Sequence, residues 1–411
     1  MSERPTGPVS PRDPRPGGAP LRVLVLTPYY LPGYRGGGPI RTIAAMVAAH
    51  GRRHAFAVVT SDRDWGEPEP LPVPTGRWVD VGAARVRYVA HSPGAFGTLR
   101  AAAGVVRHVH RARPDVLYLN GLFPVAWSLV PAVLARARTL PRTQVLLAPR
   151  GELGAGALAL KAAKKSLFLR VARAVGLYRA VTWHASTPQE ATEVAAVFPG
   201  ARVLVRENET TLPARAVPPP EPAGPLGGAA SADDPAAATP PLRLLFVSRV
   251  SAKKGLDVLL RALRDVPAAV ELDVYGDGEA LAACRGLADE LPQQHVVRWH
   301  GAVPAESLDS AYRGHEALAL PTAHENFGHV IPEALARACP VLVPDTTPWT
   351  AVIAGGGGRV VASREPSDWA AALTALATAP ADERHAARVA AAAAYDRWAA
   401  TRPTGSVFDL L

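Results

Sequence analysis

Two carboxylates set the chemical question in this chain. Glu325 and Glu333 stand eight residues apart in HENFGHVIPEALARACPVLVPDTTPW, residues 324–349, with Phe327-Gly328 between them. An apolar run at 317–320 reads as a buried strand, a helix pattern follows from about 330 to 338, and a second apolar run covers 341–343. Glu325 therefore sits on a loop leaving a strand, and Glu333 in the first turns of the next helix. Ligands of α/β sheets bind at that end of the strands. Helix-start N–H groups, backed by the dipole, attract an anion. Two carboxylates flanking that point can accept hydrogen bonds from hydroxyls. A sugar joined to a nucleotide diphosphate presents both kinds of group.

A second cluster is cationic. In LRLLFVSRVSAKKGLDVLLRAL, residues 242–263, a strand ends at Ser248-Arg249 and a helix starts near Lys254-Gly255. Arg249 and Lys254 can neutralise a diphosphate there and stabilise the charge it gains on leaving, without a metal. The chain has only five lysines, at 161, 164, 165, 253 and 254, in two clusters. A third element is the loop TPYYLPGYRGGGPIRTIAAM, residues 27–46, where Gly37 and Gly38 let backbone approach a ligand and leave N–H groups free before a helix. Its spacing is not that of a dinucleotide fingerprint. Other strand ends place Arg150, Glu152 and His184 in or near a cleft as candidate acceptor or cleft residues.

The Glu325–Glu333 segment resembles the E-x7-E signature of family 4 retaining glycosyltransferases, which have the GT-B fold, and Arg249 with Lys254 is similar to the family's R-x4-K pattern. LLAPRGELGAGALALKAAKKSLFLRV, residues 146–171, resembles a segment of members acting in polysaccharide assembly. The resemblance implies transfer from a nucleotide-diphosphate sugar to a carbohydrate or lipid-linked acceptor, with no metal and no further cofactor. It implies that Arg249 and Lys254 stabilise the leaving diphosphate, that Glu325 holds sugar hydroxyls, and that Glu333 holds the ribose. Backbone amides at Asn326, Phe327 and Gly328 would assist, and Gly37 and Gly38 would face the diphosphate. Retention would proceed by front-face attack, the leaving phosphate taking the acceptor proton. One departure is Asn120, which stands where many members have a His after the fourth main strand; an amide cannot titrate. Two other classes share the fold: a nucleotide-sugar 2-epimerase, and a non-catalytic partner subunit. The E-x7-E pattern favours the transferase over the first, and the four intact charged residues over the second.

These residues need a scaffold, and the chain alternates strands and helices throughout. The expected architecture is α/β, two Rossmann-like domains with parallel sheets facing a central cleft. The boundaries read as a disordered tail at 1–20, an acceptor domain at 21–212, and a Pro/Ala/Gly-rich linker or loop at 213–241. A nucleotide-sugar domain at 242–380 and a C-terminal helical segment at 381–411, packing back on the first domain, complete it. A length of 411 residues exceeds what one core usually covers. No apolar run is long enough to span a bilayer, and the first 20 residues lack a secretion signal's apolar stretch, so a cytoplasmic protein is expected. Cys284 and Cys339 read as small core residues. Asp62-Arg63-Asp64 is formally a D-x-D metal motif, but it lacks the other features of the fold that uses it. No nucleic-acid module accompanies the net charge of +9.

Residues 158–180 hold six basic residues and no acid, with Leu167, Val171, Ala174 and Tyr178 on one helical face. The favoured reading is a helix whose apolar face packs on the core. The other is a basic amphipathic helix at the inner membrane surface, near a lipid-linked acceptor.

Overall fold

The computed structural model describes residues 19–140, 142–159, 162–220 and 240–411. Most of the expected tail, most of the expected linker, and Lys161 lie outside the described residues.

The first sheet contains β1 (Arg22–Leu26), β2 (Ala55–Ser61), β3 (Trp78–Val81), β4 (Ala84–Val89), β5 (Val116–Asn120), β6 (Gln144–Ala148), β7 (Val181–Ala185) and β8 (Arg202–Val205). Its order is β3-β4-β2-β1-β5-β6-β7-β8, parallel except for the antiparallel β3–β4 pair at one edge. The central strands read as continuous apolar runs because both faces are covered. Helices α2 (Ala95–Ala112), α3 (Val130–Arg136), α5 (Ala162–Ala174) and α6 (Pro188–Val197), with the short α4 (Ala155–Ala159) before α5, contribute to the core on one side. Helix α1 (Gly38–His50) covers the other side.

The second sheet contains β9 (Leu242–Val247), β10 (Val270–Tyr275), β11 (His295–Gly301), β12 (Ala317–Ala319), β13 (Val341–Pro344) and β14 (Gly358–Val361), in the order β11-β10-β9-β12-β13-β14, all parallel. Helices α7 (Leu256–Leu263), α8 (Leu281–Asp289), α9 (Asp309–Gly314), α10 (Val330–Ala336), α11 (Thr350–Ala354), α12 (Pro366–Thr378) and α13 (Ala381–Thr401) surround it. In both sheets the order reverses beside the first strand of the unit, the place where such folds open a crevice. Among the described residues no helix is long and apolar enough to cross a membrane.

The chain passes between the domains twice. After β8, Val217 N–H donates to Ala336 O at 2.7 Å and Ala216 N–H to the Asp396 carboxylate at 2.7 Å. Residues 213–217, expected as the start of a free linker, are thus packed on the second domain. After α13 the chain returns, and Val407 and Phe408 are buried in the first-domain core with Phe56 and Tyr118. Arg402 joins the two crossings, donating to Thr210 Oγ1 at 2.9 Å and Asn208 O at 3.1 Å.

Helix α5 corrects the expectation for 158–180. Leu169 and Ala172 face the core, while Leu167, Val171 and Ala174 are exposed, and Tyr178 lies past the helix end, where it is buried. The stripe expected to pack inward is the outer one, because the loop after Ala174 turns Tyr178 back to Trp183 and Phe198 on its own.

Candidate active site

On the second-domain side, β9 and β12 are neighbours and end together at the cleft. Lys254, just before α7, meets Glu325, on the loop after β12, in an ion pair between its Nζ and Oε1. The carboxylate is buried. Burial works to raise its pKa, but the Lys254 ammonium, with Lys253 further off and the Thr322 hydroxyl, holds it below the usual value. Lys253 lies in the same field, and burial pushes its pKa down. Arg249, at the end of β9, stands over the ring of Trp65 from the first domain.

Glu333, in the first turn of α10, is buried as well. Its Oε2 accepts from Tyr312 OH at 3.1 Å, and its Oε1 pairs with Arg41 of α1 across the cleft. Between the two acids, Gly328 holds φ 75°, and a Cβ there would stand 3.2 Å from Ile331 Cδ1, so the turn needs glycine. The backbone N–H groups of Asn326, Phe327 and Gly328 donate no hydrogen bond among the described residues. The side chains of this loop do other work. Phe327 is buried against Trp349, whose indole N–H donates to Phe327 O. The Asn326 amide is turned to Ser186 Oγ of the first domain, 2.9 Å away, so a donor would meet only its backbone.

The first domain faces this loop closely. Gly37, at φ 69°, begins α1 with open space where a Cβ would be. A Cβ on Gly38 would come within 3.1 Å of His329, whose Nε2 is 3.0 Å from Thr42 Oγ1. Burial, then Arg41, Arg150, Arg402 and Lys254, push the His329 pKa well down, so the ring is neutral.

Asn120, Arg150 and His184 come together, but as one network built into the first domain. Arg150 donates to Asn120 Oδ1 at 2.7 Å, to Tyr118 OH at 2.9 Å and to Asn208 Oδ1. Asn120 also donates to Thr27 Oγ1 at 3.2 Å. Tyr118 OH lies 2.6 Å from His184 Nδ1, and His184 Nε2 lies 2.9 Å from Arg206 O. His184 is 1% exposed, and burial, with Arg150 second, pushes its pKa down to about 4. His184 and Asn120, candidates for a place in or near the cleft, are both buried, with their polar atoms hydrogen-bonded to neighbours. Glu152 accepts from the N–H groups of Leu122 and Phe123 and so ties two loops together; burial pushes its pKa up. Nothing in the motifs signalled this network, because its links run between strands distant in sequence.

The carboxylates of the D-x-D stretch are also occupied. Asp62 accepts from His91 N–H at 3.0 Å, and Asp64 from the N–H groups of Tyr34, Arg35 and Trp65. Among the described residues no group of three or more His, Cys, Asp or Glu is placed to hold a metal ion.

Solved structures share the whole two-domain arrangement. Anabaena HepE in complex with UDP-glucose has a TM-score of 0.65 at 18% identity, covering 95% of this chain and 97% of that one. Sucrose-phosphate synthase from Thermosynechococcus elongatus has a TM-score of 0.67 at 17% identity, covering 94% and 95%. WaaG, a glycosyltransferase involved in lipopolysaccharide biosynthesis, has a TM-score of 0.61 at 17% identity, covering 94% and 97%. The molecule has the GT-B fold. In sequence, residues 37–209 match the family "Glycosyl transferase 4-like domain" and residues 231–394 match "Glycosyl transferases group 1". The chain belongs to the family 4-type glycosyltransferases. Among curated relatives, the D-inositol 3-phosphate glycosyltransferase of Corynebacterium jeikeium is 36% identical over 147 residues, 32% of this chain and 34% of that one. Its counterpart in Streptosporangium roseum is 37% identical over 173 residues, 38% and 40% of the two chains. The matched stretch thus spans about a third of such relatives' length.

Proposed function

We propose that the protein is a retaining glycosyltransferase that moves a sugar from a nucleotide-diphosphate sugar to an acceptor hydroxyl in polysaccharide or glycoconjugate assembly, without a divalent metal. The observation that carries this proposal is the convergence of Arg249, Lys254, Glu325 and Glu333 on one wall of the cleft, from β9, β12 and α10. In the reaction, the bond from sugar C1 to the diphosphate oxygen breaks. The acceptor oxygen bonds to C1 on the same face, and its proton passes to the departing diphosphate. Lys254 and Arg249 offset the charge that the diphosphate gains. Glu325, kept ionised by Lys254, only accepts hydrogen bonds. It therefore suits sugar hydroxyls and not proton donation. Glu333 takes the ribose hydroxyls once Arg41 gives way, and the free N–H groups at 326–328 face the phosphate or sugar. The commitment of Asp62 and Asp64 to backbone amides supports cationic side chains, and not a metal, as the counter-charge.

The test is a panel of nucleotide sugars, each with and without lipid-linked acceptors, with product anomers assigned by NMR and turnover repeated in EDTA. Transfer with retained configuration and full activity in EDTA is expected. Isomerisation of the sugar without an acceptor would show an epimerase instead. Turnover abolished by EDTA and restored by Mg²⁺ or Mn²⁺ would remove the metal-free part.

For the acceptor side we propose peripheral contact with an anionic membrane surface on its cytoplasmic side. Between residues 81 and 189 the chain has sixteen Lys or Arg and two acids, Asp115 and Glu152. In that segment Leu167, Val171 and Val175 are exposed on and just past α5, among exposed Lys164, Arg170 and Arg173. Phe96 and Leu99 are exposed on α2, on the same side of the sheet. Apolar side chains between cations suit an anionic bilayer. Sedimentation with anionic vesicles, absent with zwitterionic ones and reduced in Leu167→Gln/Val171→Gln, is expected; equal behaviour with both would refute the contact.

A further inference from the structure

Arg249 differs from the other charged groups of the donor wall. Lys254 is paired with Glu325, and Glu333 with Arg41. Among the described residues the Arg249 side chain makes no hydrogen bond and no ion pair. Its guanidinium carbon instead lies 3.7 Å from the centroid of the Trp65 ring, on the opposite domain. The cation thus lies over the face of the ring. Its stem is confined by the 276–278 turn, where a Cβ on Gly278 would stand 3.1 Å from Arg249 Cγ and 2.3 Å from Val250 O.

Trp65 is itself held in place. The Asp64 carboxylate accepts from Trp65 N–H at 2.7 Å, Tyr34 N–H at 2.8 Å and Arg35 N–H at 3.0 Å. The loop bearing Trp65 and the glycine-rich loop are therefore one piece. Arg35 pairs with Glu67 of that same piece at 2.8 Å and pins it to the second domain through Asp277 at 3.1 Å.

A guanidinium stacked on an aromatic face keeps its N–H groups in its own plane, pointing away from the stack. The indole uses the face and leaves the edge for two phosphate oxygens in a bidentate contact. We propose that Trp65 is a positioning residue of the donor site, holding Arg249 in the orientation that receives the diphosphate. The proposal rests on Arg249 as a diphosphate cation, stated above. It makes donor activation a property of the two domains together, since ring and cation come from opposite walls.

The test is a double-mutant cycle with Trp65→Ala, Arg249→Ala and the double variant. Trp65→Phe and Trp65→Leu are added, and circular dichroism monitors folding. Turnover is measured with the nucleotide sugar found active in the panel, and product inhibition with UDP and GDP. Trp65→Ala and Trp65→Leu should each lower kcat on the order of tenfold. Trp65→Phe should recover most of that, and Trp65→Ala should change little further in the Arg249→Ala background. Wild-type kcat in Trp65→Leu, or additive losses in the double variant, would overturn the proposal while leaving Arg249 in the site. Wild-type kcat in Arg249→Ala would instead remove the donor-site assignment on which it rests.

Discussion

The two walls of the cleft handle charge in opposite ways. On the first-domain wall, Arg150 is surrounded by neutral partners: an amide, a phenol, a second amide, and beyond them a neutral imidazole. Every link is closed, and each member is fixed by another strand's member. On the second-domain wall, Lys254 and Glu325 pair with each other, Glu333 pairs with Arg41, and Arg249 is stacked. A charge paired with a charge can exchange that partner for a phosphate or a hydroxyl at little net cost, because one strong contact replaces another. A group locked into a closed neutral network has nothing to exchange, since breaking it leaves several buried atoms unpaired. The second-domain wall can therefore trade contacts, as the proposed reaction requires, and the first holds the strand ends behind it.

The sharpest way to break this contrast is Lys254→Ala. Its attraction to the leaving group grows as charge develops, so kcat should fall on the order of 10²–10³, about 3–4 kcal/mol, with circular dichroism unchanged. Near-wild-type kcat would take Lys254 out of the chemistry. Glu333→Ala should act on KM for the donor, by about 1.5–3 kcal/mol, because ribose contacts do not change during bond breaking. An equal loss in kcat would mean that Glu333 contacts the reacting sugar instead.

The smallest effect tests the first wall through pH. His184 titrates at about 4 in the fold, below its ordinary 6.5. The stability it confers is complete above pH 6.5 and is lost as the pH falls towards 4, by about 1.4 kcal/mol per unit. Urea midpoints should drop across that window, and His184→Gln should flatten the drop. His329, also held neutral, leaves a residual slope in the same window. Glu325 belongs to a lower one: its pKa is depressed, so its contribution persists above about 4.5 and is lost only as the pH falls through its lower folded value. An unchanged slope in His184→Gln would show that burial of this ring does not govern acid stability.

Much of this was legible from the residues. The central strands appear as apolar runs because both of their faces are covered, and Arg249, Lys254 and Glu325 lie in the loops that follow such runs. Strand β3, WVDV, escaped because it is a half-exposed antiparallel edge with little apolar contrast. The outward turn of Leu167 and Val171 escaped because periodicity shows that a helix has a face and not which way it points. The Arg150 network escaped because Asn120, His184 and Asn208 meet only once β5, β6, β7 and β8 lie side by side. The Arg41–Glu333 and Trp65–Arg249 contacts join residues nearly two hundred or more positions apart, and no local pattern announces them.

The double passage of the backbone between domains has a mechanical consequence. A body attached at one point can swivel; attached along a line, it can only swing. Residues 208–217 and 402–407 are the two attachments, and Arg402 fastens them side by side into a short axle. The terminal Val407 and Phe408, seated in the opposite core, act as the pin that keeps that axle from sliding. Arg41, Glu333 and Thr210 line one small pocket beside that axle, so a swing about it would displace them least.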